Sequence, residues 1–107
     1  AMSTFILLSK VSPASAGQIS HLAEMDKTLD RELAESLPQV KRIASYALLG
    51  AYDFMHIFEA PDATTAAKVA LLANRFGVSS TQTLTAIPFS EFSDLARDVT
   101  RIQVARG

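Results

Sequence analysis

The sequence contains no cysteine and no tryptophan, and only four glycines are spread along its 107 residues. Without cysteine, neither disulfide bonds nor a thiolate metal site can hold the fold together. The scattered glycines form no glycine-rich loop of the kind that binds phosphate groups, and no serine occupies a nucleophile elbow. The fold must therefore depend on its hydrophobic core, and the classical nucleotide-binding and hydrolase motifs are excluded.

Charge of one sign and long apolar runs are lacking as well. Ten basic residues balance eleven acidic ones, for a net charge of -1. A surplus of positive charge is what draws a protein to nucleic acid or to an anionic membrane, so neither is a predicted partner. Apolar runs such as residues 5–8 and 47–49 are far too short to span a bilayer, and the N-terminus has no signal-peptide pattern. We expect a soluble, cytoplasmic protein.

Hydrophobic residues make up 49% of the sequence and charged residues 20%, which is typical of a packed globular domain. A chain of 107 residues can build one self-supporting core but not two. The composition therefore predicts a single domain over residues 2–107.

Patterning along the chain predicts seven elements. Four segments rich in apolar and β-branched residues predict strands: residues 4–10, 40–49, 54–59 and 78–87. Three amphipathic segments predict helices: one beginning near Ser12 and ending before Pro38, one capped by Asp62 and followed by Gly77, and one beginning at Ser90. The order β-α-β-β-α-β-α predicts an α+β fold of the ferredoxin-like βαββαβ kind with an added C-terminal helix.

One face of such a sheet carries both main helices, and the other face presents a problem. Several large apolar residues are available to the strands, namely Phe5, Leu7, Tyr46, Phe54 and Phe58. Monomers seldom expose so much apolar surface. The sequence therefore predicts that the open face packs against a second copy by twofold symmetry, giving a dimeric α+β barrel around a small cavity, or that the third helix covers part of it.

Several short motifs occur in a recognisable order along the chain. They are a strand at residues 4–10, Ser12-Pro13, Leu49-Gly50-x-Tyr52-Asp53, Glu59-Ala60-Pro61-Asp62, an alanine-rich helix, and Thr81-Gln82-Thr83-Leu84-x-Ala86. Together they resemble the GYD domain family of small bacterial and archaeal proteins. The resemblance implies a compact domain similar to dimeric α+β-barrel proteins, and it implies no established reaction.

Three polar residues are the catalytic candidates. Asp53 lies in a predicted turn, where its carboxylate can accept backbone hydrogen bonds, or can act with the Tyr52 phenol as base and donor at a cavity mouth. His56 shares a strand face with Phe54 and Phe58. It is either a hydrogen-bonded core or interface residue or a cavity imidazole that transfers protons or binds a metal or haem iron. No set of ligands accompanies it, so we predict no metal site and no cofactor.

Our leading hypothesis is a self-associating domain, without enzymatic activity or weakly catalytic, that shelters a small, largely apolar ligand between two sheets. The expected ligand-binding residues are Tyr46, Phe54, His56 and Phe58. The alternative is a cavity enzyme of the dimeric α+β-barrel kind, such as a cofactor-light oxygenase or isomerase, that uses the three polar candidates.

A third hypothesis is RNA binding on the sheet. Modules of this topology stack bases on exposed aromatic residues of the first and third strands, where Phe5, Phe54 and Phe58 stand. The basic, glycine-rich third-strand motif of those modules is missing here. We therefore rank RNA binding below self-association.

Overall fold

The computed structural model describes residues 2–11, 19–75 and 78–106. Its elements are β1 (Ser3–Val11), α1 (Ile19–Ser36), β2 (Lys41–Ala47), β3 (Phe54–Ala60), α2 (Ala63–Asn74), β4 (Val78–Ala86) and α3 (Phe89–Arg106). The predicted order is confirmed, and α3 begins one residue before the predicted Ser90. The expected helix start at Ser12 and the expected role of Gly77 lie outside the described residues.

The four strands form one antiparallel sheet in the order β2-β3-β1-β4. α1 links β1 to β2 with β3 inserted between them, and α2 links β3 to β4 with β1 inserted between them. Each helix thus spans the width of a third strand, which is the arrangement of the split βαβ motif. The ferredoxin-like α+β fold predicted from the order of elements is confirmed.

The core lies between one face of this sheet and the helices α1 and α2. Its buried members are Phe5, Leu7, Leu29, Leu33, Leu37, Phe58, Ala60, Ala66, Val69 and Ala73. Phe5 and Phe58 face each other across β1 and β3, and their rings stack with centroids 5.8 Å apart. Ala66 and Ala73 let α2 lie close to the sheet, because an alanine side chain adds little thickness. We call this the helix side of the sheet.

Asp62 begins α2 as the predicted N-cap. Its side chain accepts a hydrogen bond from the backbone N–H of Thr65 at 2.8 Å. Hydrogen bonds from the side chain and the backbone of Thr65 lower the pKa of Asp62, because they favour the charged carboxylate. The local signal for this helix start is therefore confirmed in detail.

The other face of the sheet carries a second apolar surface, which we call the open sheet face. It consists of Ile6, Leu8, Tyr46, Met55, Ile57 and Leu84. Tyr46 is 53% exposed and Leu84 37%. Most of the residues expected on this face lie on the helix side instead. Phe5, Leu7 and Phe58 are buried in the core. Phe54 lies on the same face of β3 as Phe58, four positions along the strand.

The outcome differs from the expectation because, in both β1 and β3, the residues on one face and the residues on the other face are apolar. A strand places successive side chains on opposite faces, so the pattern separates the two classes. It does not tell which class meets the helices. The RNA hypothesis also loses its basis, because Phe5 and Phe58 lie under α1 and α2 and offer no exposed stacking platform.

The alternative expectation, that the third helix covers part of the open sheet face, is not supported by the described residues. Within the described residues, α3 packs along neither the sheet nor the other two helices. The molecule is accordingly elongated, with extents of 59, 31 and 18 Å. None of the helices, over the residues described, is long and apolar enough to cross a membrane.

Candidate functional site

Asp53 ties the turn between β2 and β3 to the end of β1. The backbone N–H of Val11 donates to Asp53 Oδ2 at 2.9 Å, and the N–H of Asp53 donates to the Ser9 carbonyl at 2.9 Å. The Leu48 N–H donates to the Asp53 carbonyl at 2.8 Å. The Asp53 carboxylate therefore accepts a backbone hydrogen bond, but from a strand 42 positions away in the chain rather than from its own turn.

Tyr52 connects the same turn to β4. Its hydroxyl donates to Gln82 Oε1 at 2.6 Å. Gln82 pairs with Leu8 of β1, so its side chain lies on the open sheet face. The hydrogen bond therefore crosses over β1 and joins two segments that resemble the family signature, Tyr52-Asp53 and Thr81-Gln82. It forms a polar group at one end of the open sheet face.

His56 lies on the helix side of the sheet, opposite Leu7. Its Nδ1 is 3.1 Å from Arg42 Nη2 and 2.9 Å from Ser45 Oγ. A guanidinium can only donate, so Nδ1 is the acceptor and the neutral imidazole carries its hydrogen on Nε2. Burial lowers the pKa of His56, and the positive charge of Arg42 lowers it further.

Arg42 and His56 line the same small pocket between the sheet and the helices α1 and α2. Its Nη1 is 2.8 Å from Asp30 Oδ1 and its Nη2 is 3.4 Å from Asp26 Oδ1, so the guanidinium links β2 to α1. It also donates to the hydroxyl of Ser45. Arg42 and Ser45 both lie within hydrogen-bonding distance of the single lone pair of His56 Nδ1. The arrangement is a polar network that anchors α1.

The structure does not bring the predicted site residues together. Tyr46 lies on the open sheet face, whereas Phe54, His56 and Phe58 lie on the helix side. Asp53 is engaged with the backbone of β1. The cavity-enzyme hypothesis required His56 to share a cavity with the two turn residues, and this geometry removes that basis.

The sequence did not indicate that Arg42 and Ser45 are hydrogen-bond partners of His56. It also did not indicate that Gln82 is the partner of Tyr52. The pairing of β2 with β3 shifts register between Arg42 and Ala44, which places Arg42 and Ser45 on the same face although they are three positions apart. A β-bulge of this kind inserts one residue into a strand and reverses the alternation beyond it. Simple period-two counting places Arg42 and Ser45 on opposite faces, and the stretch has no glycine to signal the bulge.

The lowered pKa of His56 predicts a pH-dependent stability. Unfolded histidine takes up a proton below about pH 6.5, whereas folded His56 stays neutral to a lower pH. The free energy of unfolding should therefore be largest above pH 6.5 and fall as the pH drops, until folded His56 is protonated as well. The slope from one histidine is at most about 1.4 kcal/mol per pH unit.

The matched variant is His56→Asn, whose side chain can still accept from Arg42 near the Nδ1 position but does not titrate. Urea unfolding of both proteins from pH 7.5 down to pH 5 measures the difference, because all other residues are common to the two proteins. We expect the variant to lose less stability on acidification than the unmodified protein. Parallel curves would contradict the assignment of a buried, neutral His56.

In the part of the chain that the structure describes, no three His, Asp or Glu side chains come together as a metal site. Fold and geometry define a ferredoxin-like α+β domain with one helix-covered face and one open apolar face carrying a polar pair at its end.

Residues 5–96 match the GYD domain, and the chain belongs to the GYD domain family. A relative from Thermus thermophilus, described as a glutamine synthetase and cystathionine beta-lyase binding protein, is 41% identical over 91 residues, which are 84% of this chain and 94% of the relative.

Two solved structures show the same fold. MtbAldR superposes with a TM-score of 0.60 at 13% identity over 82% of this chain, which spans only 55% of MtbAldR. A dimeric protein of unknown function with a ferredoxin-like fold from Bacteroides fragilis superposes with a TM-score of 0.52 at 11% identity, over 79% of this chain and 94% of that one. At these identities the likeness concerns the fold alone.

Proposed function

We propose that this chain is a self-associating binding domain in which the open sheet face of one copy covers the open sheet face of another. The observation that carries the proposal is the open sheet face itself, an apolar surface that no described helix covers. Burial of apolar surface is the main driving force of protein association, and patches of this kind on soluble proteins mark interaction sites. The dimeric Bacteroides fragilis protein has the same fold.

The distribution of charge on this face supports packing against a second copy. Ile6 and Ile57 pair at its centre on the two inner strands. Lys10, Lys41 and Glu59, which have the same orientation, lie at or near strand ends. An apolar centre with a polar rim is the usual anatomy of a protein interface. Two such faces can approach to the roughly 10 Å at which stacked sheets interdigitate.

We further propose that the associated form binds other proteins, and that the partners are metabolic enzymes of the glutamine synthetase or cystathionine β-lyase kind. This step rests on the binding role described for the Thermus thermophilus relative, which is 41% identical over most of this chain. It also agrees with the hydrogen bonds of His56 Nδ1 and Asp53 Oδ2, which belong to networks that hold the fold together.

A second candidate function is the shelter of a small, largely apolar ligand between the two sheets. The Tyr52–Gln82 pair favours it, because it adds a polar group at one end of an otherwise apolar surface. Ligand sites commonly combine an apolar lining with a few polar groups that orient the ligand. In this arrangement Leu8 and Met55 of the open sheet face, with Tyr46 beside them, replace Phe54, His56 and Phe58 as lining residues.

Native mass spectrometry of gently purified protein tests self-association and ligand retention together. We expect a mass of two chains, or a multiple of it, at micromolar concentration. An additional retained mass would identify the ligand, and its absence would rule out the sheltering role for the purified form. A monomer over the whole concentration range would contradict the proposed self-association.

Enzyme binding is tested with purified glutamine synthetase and cystathionine β-lyase from the source of this chain, titrated by isothermal calorimetry. An unrelated soluble enzyme of similar size and charge is the control. We expect saturable binding to at least one of the two enzymes and none to the control. Failure to bind either enzyme would contradict the proposed partner class while leaving self-association standing.

A further inference from the structure

The helix α3 carries an exposed apolar stripe along its length. The stripe consists of Phe89, Phe92, Leu95, Val99 and Ile102, which are between 45% and 81% exposed. We call it the α3 stripe. The intervals of three and four residues place four of its members on one side of the helix, with Phe89 at the edge, where its ring lies 6.1 Å from that of Phe92.

The opposite side of α3 is charged and self-paired. Asp94 lies 3.4 Å from Arg97, and Asp98 lies 3.7 Å from Arg101. This charged side is well solvated by water, whereas the α3 stripe exposes apolar side chains to water. Most helical stability in proteins comes from packing of an amphipathic helix's apolar face rather than from the intrinsic helix propensity of its residues. The helix therefore needs a surface to pack against, and its own domain does not supply one in the described residues.

The area of the open sheet face indicates that a second copy of the chain supplies the surface against which α3 packs. Four strands about 4.8 Å apart and about 25 Å long cover roughly 500 Å². Each partner in a stable interface of standard size contributes about 800 Å². A helix of 18 residues is about 27 Å long and about 10 Å wide, so α3 would add roughly 270 Å². The sheet face alone falls short of a standard interface, and the sheet face with α3 reaches it.

We propose that the α3 stripe packs against a second copy of this chain, so that the interface of the dimer comprises the open sheet face and α3 together. This inference rests on the proposed self-association and specifies its second surface. Each copy reaches past its own sheet with α3 and contributes a helix to the other copy. The reciprocal arrangement covers both α3 stripes and both open sheet faces.

Adjacent residues of α3 provide a matched test in the full-length chain. Val99 belongs to the α3 stripe, and Thr100 lies about 100° further around the helix, where its hydroxyl donates to the Ala96 carbonyl. Valine and threonine are close in size and both β-branched. Val99→Asp and Thr100→Asp therefore introduce the same charge at nearly the same height, on and off the proposed interface.

Sedimentation velocity over a dilution series gives the dimer dissociation constant of each protein. We expect Val99→Asp to raise it by a factor of about ten or more, because a buried valine is replaced by a charge. Thr100→Asp should stay within about twofold of the unmodified protein. Circular dichroism checks that both variants retain their helix content.

A second measurement does not depend on disrupting the interface. Because the chain has no cysteine, Val99→Cys and Thr100→Cys each provide one site for an environment-sensitive fluorophore. The label at position 99 should shift to shorter wavelength as the dimer forms on concentration, and the label at position 100 should shift much less. Equal responses at the two positions would overturn the inference.

The outcomes separate the two proposals. A protein that remains monomeric at all concentrations overturns self-association, and the α3 inference with it. A dimer that forms equally well with Val99→Asp and Thr100→Asp overturns the α3 inference alone. A Val99→Asp variant that unfolds at lower urea concentration with an unchanged dissociation constant also overturns it, because the α3 stripe would then pack within its own chain.

Discussion

Ile57→Asp is expected to convert the self-associated protein into a stable monomer. Ile57 lies on the inner strand β3, opposite Ile6 of β1 and Ala44 of β2, and thus at the centre of the open sheet face. Burying a carboxylate without a partner costs several kcal/mol, and twofold symmetry places one on each side of the interface. The dissociation constant should therefore rise by about a thousandfold or more.

Sedimentation velocity across a concentration series measures this change, and Leu71→Asp is the control. Leu71 is 66% exposed on α2, away from the open sheet face, and receives the same charged side chain. The control should associate like the unmodified protein. Because Ile57 is only half-buried within one chain, the fold of the Ile57→Asp monomer should survive, as its circular dichroism will show. An Ile57→Asp protein that still dimerises normally would exclude the open sheet face as the interface.

Phe58→Ala should produce the largest loss of fold stability. Phe58 is 1% exposed on the helix side, where its ring stacks on Phe5. Removing a buried phenylalanine side chain loses its transfer free energy and leaves a cavity, which together cost about 3–5 kcal/mol. Urea unfolding at one fixed protein concentration measures the difference, so that dissociation contributes equally to every sample.

Leu71→Ala is the control for this experiment, because it shortens an exposed side chain and should change the free energy of unfolding by less than about 0.5 kcal/mol. The comparison also decides between two roles for Phe58. A residue that lines a ligand cavity between sheets would lose ligand on substitution and keep most of the stability. A loss as small as that of the control would therefore contradict the core position of Phe58.

Local signals in the sequence correctly predicted most of the framework. Asp62 caps α2 through its own side chain, because capping depends on a short-range hydrogen bond that aspartate commonly makes. The partner of the Asp53 carboxylate, the backbone N–H of Val11, is 42 positions away and has no local signal in the turn. The alternation of apolar residues located the strands, and helical spacing located α1, α2 and α3. The resemblance to the GYD domain family came from the order of short motifs and is confirmed over residues 5–96.

The candidate site was far less predictable than the fold. The partners of Tyr52 and His56, which are Gln82 for the first and Arg42 and Ser45 for the second, are separated from them by 30, 14 and 11 positions. Such contacts depend on strand pairing and on the bulge beside Arg42, and the sequence contains no local signal for either. The sequence pattern therefore predicts that Phe54 and Phe58 line a cavity, although Phe58 belongs to the core and Phe54 lies on the helix side.

The sequence by itself determined the order of elements, the family and the presence of more apolar strand residues than one helix-covered face can bury. Only the tertiary structure decided which residues of β1 and β3 face the helices, and with them the position of His56. It also decided that α3, over its described residues, does not pack along the sheet. The physical reason is that period and capping are properties of neighbouring residues. The side on which the helices pack depends on the whole sheet, and Phe5-Leu7 and Ile6-Leu8 are equally apolar.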